Sequence, residues 1–494
     1  MTNRREFLAG TGAWAALYST RLSAQKAKSP AKPLLFPENF LWGAATAAMQ
    51  VENSPATEGG GQSFWEPFVA AHPKLVKDGS SPLVTCNETR YWREDLEFMR
   101  QIGLNSYRFS ISWPRVLPDG KGRVNQAGLD FYDRFIDALL AARIRPLLTV
   151  FHFDYPEALQ QSGGWLAPDS PQWFADYARL LAARYSDRVE DWLTINEPNI
   201  FWGFGAEAGA MPPGKQMPEA DLASGLHHLL LGHGRAVGAI RAASKRPVKI
   251  GLPIAGMMQM PATNSPADWQ AARLSVFTPR KAAIIPGLPP MGMLNNGLWL
   301  DPIFKGSYSE GAFALYPSLR RLARPEDMKI ISSPVDRCAV NLYFASTVKA
   351  GPDGQPEAVP LPPNTEHTHY GWPVTPDVLY WGPKLLHERY GAPVLITENG
   401  MSWADQPSAD GRVHDPQRIA FLNRYLNALR LALHDGVPVE GYMHWSLLDN
   451  WEFTSGFTEQ FGLVYVDHKT QKRILKNSAL YYRNIIQSRG AALM

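Results

Sequence analysis

Cysteine is scarce: Cys86 and Cys338 are the two in 494 residues, far apart and in no paired motif. That argues against a disulfide scaffold and a thiolate zinc site, and both read as buried free thiols, a bridge being open only if the chain is exported. Net charge is scarce as well. Lys+Arg 49 against Asp+Glu 46 leaves +3, and Arg4, Arg5 and Arg21 against Glu6 fall in residues 1–24, so the remainder is almost neutral. Such a body offers no electrostatic footprint for nucleic acid or an anionic membrane. With 45% hydrophobic and 19% charged residues, disorder, collagen-like repeats and a membrane bundle are excluded. Also missing are a G-x-S-x-G elbow, a phosphate loop and an H-E-x-x-H pair. His227, His228 and His233 share a helical segment without ligand spacing, and His387-Glu388-Arg389-Tyr390 lacks a second histidine. No cofactor and no metal is implied. What is plentiful is flat aromatic surface, with Trp 16 and Tyr 18, a mild pointer to ligands such as sugars.

The opening Asn3-Arg4-Arg5-Glu6-Phe7-Leu8-Ala9, a short apolar run and Leu22-Ser23-Ala24 read as a twin-arginine export signal over 1–24. A periplasmic or secreted bacterial protein is expected, with the export machinery as a partner and no membrane in the mature form. Gly10-x-Gly12-x-x-Ala15 follows no strand and opens no βαβ unit, so it carries no dinucleotide site. Residues 25–34, rich in Lys and Pro, read as a linker, and 35–494 as one catalytic unit.

From Phe36 onward, β-rich runs alternate with helical patterns. The candidate strands are 40–48, 106–113, 145–153, 191–196, 248–255, 338–344, 393–399 and 440–448. Several are nearly continuous apolar runs, as buried parallel strands are. Amphipathic helices are expected between them; over 89–103 the apolar face is Tyr91, Leu96, Phe98 and Met99. Eight strand–helix units predict an α/β chain, a single (β/α)8 TIM barrel with elaborated βα loops, in which 255–295 is a long irregular loop.

In such a barrel chemistry belongs at the C-terminal ends of strands. There the sequence places Gln50, Glu52, Arg108, His152, Asp154, Asn196, Glu197, Asn341, Tyr343, Glu398, Trp445, Asp449, Asn450 and Glu452. Cleaving an acetal between sugars needs a proton on the leaving oxygen and a nucleophile or water at the anomeric carbon, and paired carboxyls supply both. Glu197 and Glu398 end strands four and seven across the mouth. This suits a separation of about 5 Å, which goes with a covalent intermediate and retained configuration. Arg108 beside one carboxylate holds it ionised, and that charge keeps the other protonated near neutral pH.

Read in order, FPENFLWGAATAAMQVEN, YRFSISWPRVLP, TVFHFDYPEALQ, TINEP, ITENG and HWSLLDNWEF followed by GFTEQFGLVYVDHKTQKR form a specific series. From about Phe36 to about Tyr482 the chain resembles family 1 glycoside hydrolases, the β-glucosidase family. The resemblance implies Glu197 as acid/base and Glu398 as nucleophile. It also implies a sugar pocket of Gln50, His152, Asn196, Glu452 and Phe453 with Trp445 as platform, and Arg108 and Tyr343 orienting the nucleophile. The expected activity is that of a retaining β-glycosidase, a β-glucosidase first, acting on a small-molecule β-glycoside.

Several positions depart from the family pattern. Phe453 stands where a tryptophan is usual, Phe153 replaces one between His152 and Asp154, and Met49, Leu342 and Ile195 differ too. None removes a catalytic group, but losing an indole donor, worth about 1 kcal/mol, puts glucose specificity in doubt. A carboxylate at Glu452 argues against a 6-phosphate substrate by repulsion. Met257, Met258, Met260, Met291 and Met293 are placed near the aglycone entrance, so aryl or terpenoid glycosides are expected to outperform cellobiose; ordinary packing under the loop is the alternative. A transglycosylase on the same fold and a catalytically silent carbohydrate-binding barrel remain open. Sequence leaves the oligomeric state, and pairing of the two cysteines, undecided.

Overall fold

The computed structural model describes residues 34–281 and 290–494. The export signal over 1–24 lies outside the described residues, as does the 25–34 linker except Leu34.

Eight parallel strands form the barrel where the apolar runs placed them. They are β1 (Leu41–Ala45), β2 (Ser106–Ser110), β3 (Arg145–Phe151), β4 (Asp191–Ile195), β5 (Lys249–Gly251 continuing as Pro253–Ala255), β6 (Cys338–Asn341), β7 (Val394–Asn399) and β8 (Val439–Trp445). Each pairs with its sequence neighbour, and β1 pairs with β8. Closure depends on β5, which changes partner midway: Lys249–Gly251 lies on β4 and Pro253–Ala255 on β6. Pro253 turns its carbonyl to the β4 side, where it accepts from the Glu197 N–H at 2.8 Å. Its missing N–H on that same edge ends the regular ladder.

The barrel interior is filled by Leu147, Leu193, Ala339, Leu395 and Met443, one packed layer rather than a pore. Gly43 makes room for it, since a Cβ there would sit 2.2 Å from the Met443 sulfur. Two residues further along β3 and β7 the inward side chains turn polar, Thr149 and Thr397, and the site begins above them.

Helices Glu88–Ile102, Gln126–Ala141, Ser170–Tyr185, Glu219–Ala243, Asn296–Lys305, Val378–Tyr390, Pro416–His434 and Asn477–Gln487 follow the strands in turn. In the first, the buried stripe is Glu88, Trp92, Asp95, Met99 and Ile102; of the expected face Tyr91, Leu96, Phe98 and Met99, only Met99 is buried, and Leu96 and Phe98 pack partly buried against the core. Asp95 is drawn in by a buried ion pair with Arg473 (2.6 Å), so a carboxylate replaces an apolar residue on the inner face. The segment 255–295 is also more regular than a long loop. It contains strand Met258–Pro261 and helix Pro266–Phe277. That strand joins Ala345–Ala350 and Pro356–Val359 in a separate three-stranded sheet. Cys86 and Cys338 are buried free thiols, as expected. His227, His228 and His233 pack along Glu219–Ala243, bonded to Tyr308, the Trp165 carbonyl and Thr194 respectively.

Candidate active site

The strand ends bring most of the expected residues to one rim; Glu52 instead pairs with Arg115 and Tyr132, and Asp449 with Lys476, so neither joins the site. Arg108 rises from β2 into the barrel axis with no exposure. Its Nε donates to Thr149 Oγ1 (3.1 Å) and Nη1 to the Thr397 carbonyl (3.2 Å), which fixes the plane of the fork. Nη1 also meets Glu398 Oε1 in a short ion pair, and Nη2 donates to Asn196 Oδ1 at 2.6 Å. Tyr343 donates to the other Glu398 oxygen at 2.7 Å. Both oxygens of Glu398 are thus held. Gly400 lets the turn after β7 close over β8, since a Cβ there would lie 1.8 Å from the Trp445 carbonyl.

Glu197 takes a backbone conformation in the left-handed region, φ 40, rare for a residue with a side chain. The N–H bond to Pro253 and the helix Pro198–Trp202 that starts immediately after it hold it there. Phe153 (φ 70) and Phe453 (φ 48) share this conformation, so three of these backbone exceptions gather around one cavity. Asn341 is a hub that the strand-end reading named but gave no role. Its Nδ2 donates to Glu197 Oε1 (2.8 Å) and Asn196 Oδ1 (3.2 Å), while Thr397 donates to its Oδ1 at 2.6 Å. It ties the Glu197 side of the site to the Asn196–Arg108 side.

The remaining polar groups form a second bonded cluster. Gln50 Nε2 donates to Asn450 Oδ1 (2.8 Å) and Glu452 Oε2 (3.1 Å), and the Trp445 indole N–H donates to Glu452 Oε1 (2.9 Å). Trp445 lies nearly parallel to His152, 5.8 Å between centroids. Because Asn196 Oδ1 already accepts from Arg108 and Asn341, its amide nitrogen faces His152 Nε2 at 3.0 Å. His152 therefore accepts there and carries its proton on Nδ1. That Nδ1 and Gln50 Oε1 are buried with no partner among the described residues. A donor and an acceptor left unpaired at a cavity wall are what ring hydroxyls can satisfy. Phe453 offers no polar atom; it packs against Trp65 (5.0 Å) and Phe153 (5.5 Å) as an apolar wall.

Electrostatics separates the two carboxyls. Glu197 is pushed up to about 8, first by burial and second by the Glu398 charge. The neighbouring charge acts in the expected direction, second to burial. Burial also raises Glu398, but the Arg108 charge, then hydrogen bonds from Arg108, Tyr343 and Asn341, oppose it. The proton therefore resides on Glu197. Glu452 is likewise pushed up to about 8 by burial, against the hydrogen bond from Trp445. Burial, with the Arg108 charge, lowers His152 well below the usual histidine range, so it is a neutral imidazole.

Beside this centre a cavity of about 530 Å³ opens, lined by Asn341, Tyr343, Met257, Met258, Phe344 and Trp372 among others. Met257 and Met258 stand where the entrance was expected. Met260, Met291 and Met293 are buried and do not line it, which corrects their placement.

The model of glycosyl hydrolase family 1 matches residues 33–491. β-Glucosidase A of Thermotoga maritima is 40% identical over 458 residues, covering 92% of this chain and 98% of that protein. A bifunctional β-D-glucosidase/β-D-fucosidase of Bifidobacterium breve is 33% identical, covering 93% and 99%. The structure of a T. maritima β-glucosidase in complex with glucoimidazole superposes with a TM-score of 0.82 at 39% identity, covering 93% of this chain and 100% of that one.

Difference infrared titration of the wild type against Glu197→Gln tests the proton's position. A protonated-carboxyl band assigned to Glu197 should persist at neutral pH and vanish as pH rises through about 8. Loss of that band in the ordinary carboxyl range, about 4 to 5, would show that burial does not hold the proton.

Proposed function

The chain belongs to glycosyl hydrolase family 1, and from that premise we propose that it hydrolyses terminal β-D-glycosides, β-glucosides first, by double displacement with retention. One observation carries the reading: two buried carboxyls, one gripped by Arg108 and Tyr343, the other keeping its proton. A glycoside seated between them meets unlike groups on its two sides. Glu398 attacks the anomeric carbon as Glu197 gives its proton to the departing oxygen, leaving a glycosyl ester on Glu398. That step consumes the charge that Arg108 was holding and removes the negative neighbour of Glu197. Now an anion, Glu197 takes a proton from water, the water attacks the anomeric carbon, and Glu398 leaves as carboxylate. Both residues return to their starting forms.

The sugar's hydroxyls are read by the unpaired His152 Nδ1 and Gln50 Oε1, and by the second amide N–H of Asn196, suited to the 2-hydroxyl. Phe453 contributes shape alone, which favours a tolerant glycone pocket; a relative named for both glucoside and fucoside hydrolysis supports this. The methionine and tryptophan walls of the adjacent cavity suit apolar aglycones. Transfer to acceptors other than water uses the same ester and differs only in what enters second. A silent binding barrel would have no use for a fully gripped nucleophile.

Export through a twin-arginine signal to the periplasm is part of the proposal. It rests on Arg4-Arg5, the short apolar run after them, and their position ahead of the family match, which starts at residue 33.

A pH profile and three variants test these readings. Because the protonated form of Glu197 acts, kcat/KM falls as pH rises through about 8. Glu197→Gln loses that limb and about 10²–10⁴ in rate on poor leaving groups, with azide restoring part; equal losses on good and poor leaving groups contradict the role. Glu398→Gly loses hydrolysis, yet an α-glycosyl fluoride restores glycoside synthesis. For export, Arg4→Lys with Arg5→Lys should retain the protein in the cytoplasm; unchanged periplasmic activity would reject the signal.

A further inference from the structure

The cavity beside the catalytic pair has a one-sided charge. Asn341 and Tyr343, bonded to Glu197 and Glu398, form its inner end, and Met257, Met258 and Trp372 its walls. No aspartate or glutamate lines it, and Arg280 is its one guanidinium. Arg280 is exposed and donates to Ser275 Oγ at 2.5 Å, and it makes no ion pair with any carboxylate among the described residues. This contrasts with Arg273 in the preceding helix, paired with Glu388 at 2.8 Å. Apolar walls with one guanidinium among them match an aromatic group that bears an anion. A second sugar would leave the thioether surface against hydroxyls and the guanidinium with no charge to meet.

We propose that Arg280 selects aglycones, and that the favoured substrates are β-glycosides of aromatic acids whose carboxylate meets this guanidinium. The inference rests on the glycosidase reading above and adds which leaving groups the cavity admits. An exposed guanidinium gains modestly from such a pair, roughly threefold to tenfold in affinity, and the gain weakens with salt.

The test compares 3- and 4-carboxyphenyl β-glucosides with the matching carboxamidophenyl β-glucosides, which keep shape and lose charge. The full chain and Arg280→Gln are assayed for kcat/KM on each pair, and the ratio within a pair is compared between proteins, which cancels the leaving groups' intrinsic difference. The carboxylate-to-carboxamide ratio is expected to be at least about threefold higher in the wild type, through KM, and to narrow in high salt. Arg280→Lys should keep part of it. An equal ratio in the two proteins, or one insensitive to salt, overturns the role of Arg280. If the wild type turns over neither member of a pair, the glycosidase reading itself fails, and the carboxamide glucosides distinguish that failure from the first.

Discussion

One buried guanidinium governs this molecule's chemistry. Arg108 is the cation beside Glu398 and Glu197, two carboxyls taken out of water together. Burying an uncompensated carboxylate is costly enough that a group neutralises instead. With that positive charge on Glu398, this carboxylate is held and Glu197 keeps the proton. The fork decides which, because Nη1 reaches Glu398 while Nη2 is taken by Asn196. In the proposed reaction the division of labour between nucleophile and acid follows from which carboxylate the guanidinium faces. Thr149 and the Thr397 carbonyl set that orientation from the strands themselves.

The barrel supplies this constraint cheaply in sequence. Eight apolar runs and the helices between them were legible, since parallel strands covered on both sides must be apolar and their ends must hold the polar residues. TINEP and ITENG also announced their glutamates. Other features were written in no local signal. The left-handed backbone at Phe153, Glu197 and Phe453 carries no glycine to mark it and exists because tertiary contacts over-determine it. The partner change within β5 turns on where the Pro253 carbonyl faces, which depends on β4. The buried face of Glu88–Ile102 was misjudged because Asp95 finds Arg473 nearly four hundred residues away. The hub role of Asn341 is likewise a meeting of strands four, six and seven, visible only once the barrel closes.

Rigid and variable parts are separated in the structure. Arg108 and Glu398 sit on barrel strands and Glu197 two residues past the end of β4, whereas the walls of the adjacent cavity come from Met257–Met258, Phe344, Trp372 and Arg280, outside the barrel strands. Phe453, which follows β8, is likewise outside the barrel strands. It lies in the apolar wall with Trp65 and Phe153 and touches neither the Arg108 fork nor Asn341. Selectivity can therefore shift while the acid–nucleophile pair stays fixed.

The account stands on Glu398 being the carboxylate that bonds to the sugar. A dinitrophenyl 2-deoxy-2-fluoro-β-glucoside slows both displacements, while its good leaving group still permits the first, so the ester accumulates. Peptide mass spectrometry of the inactivated protein should find the fluoroglucosyl group on Glu398. A label on Glu197 or elsewhere, or full turnover with no trapped ester, would contradict the assignment.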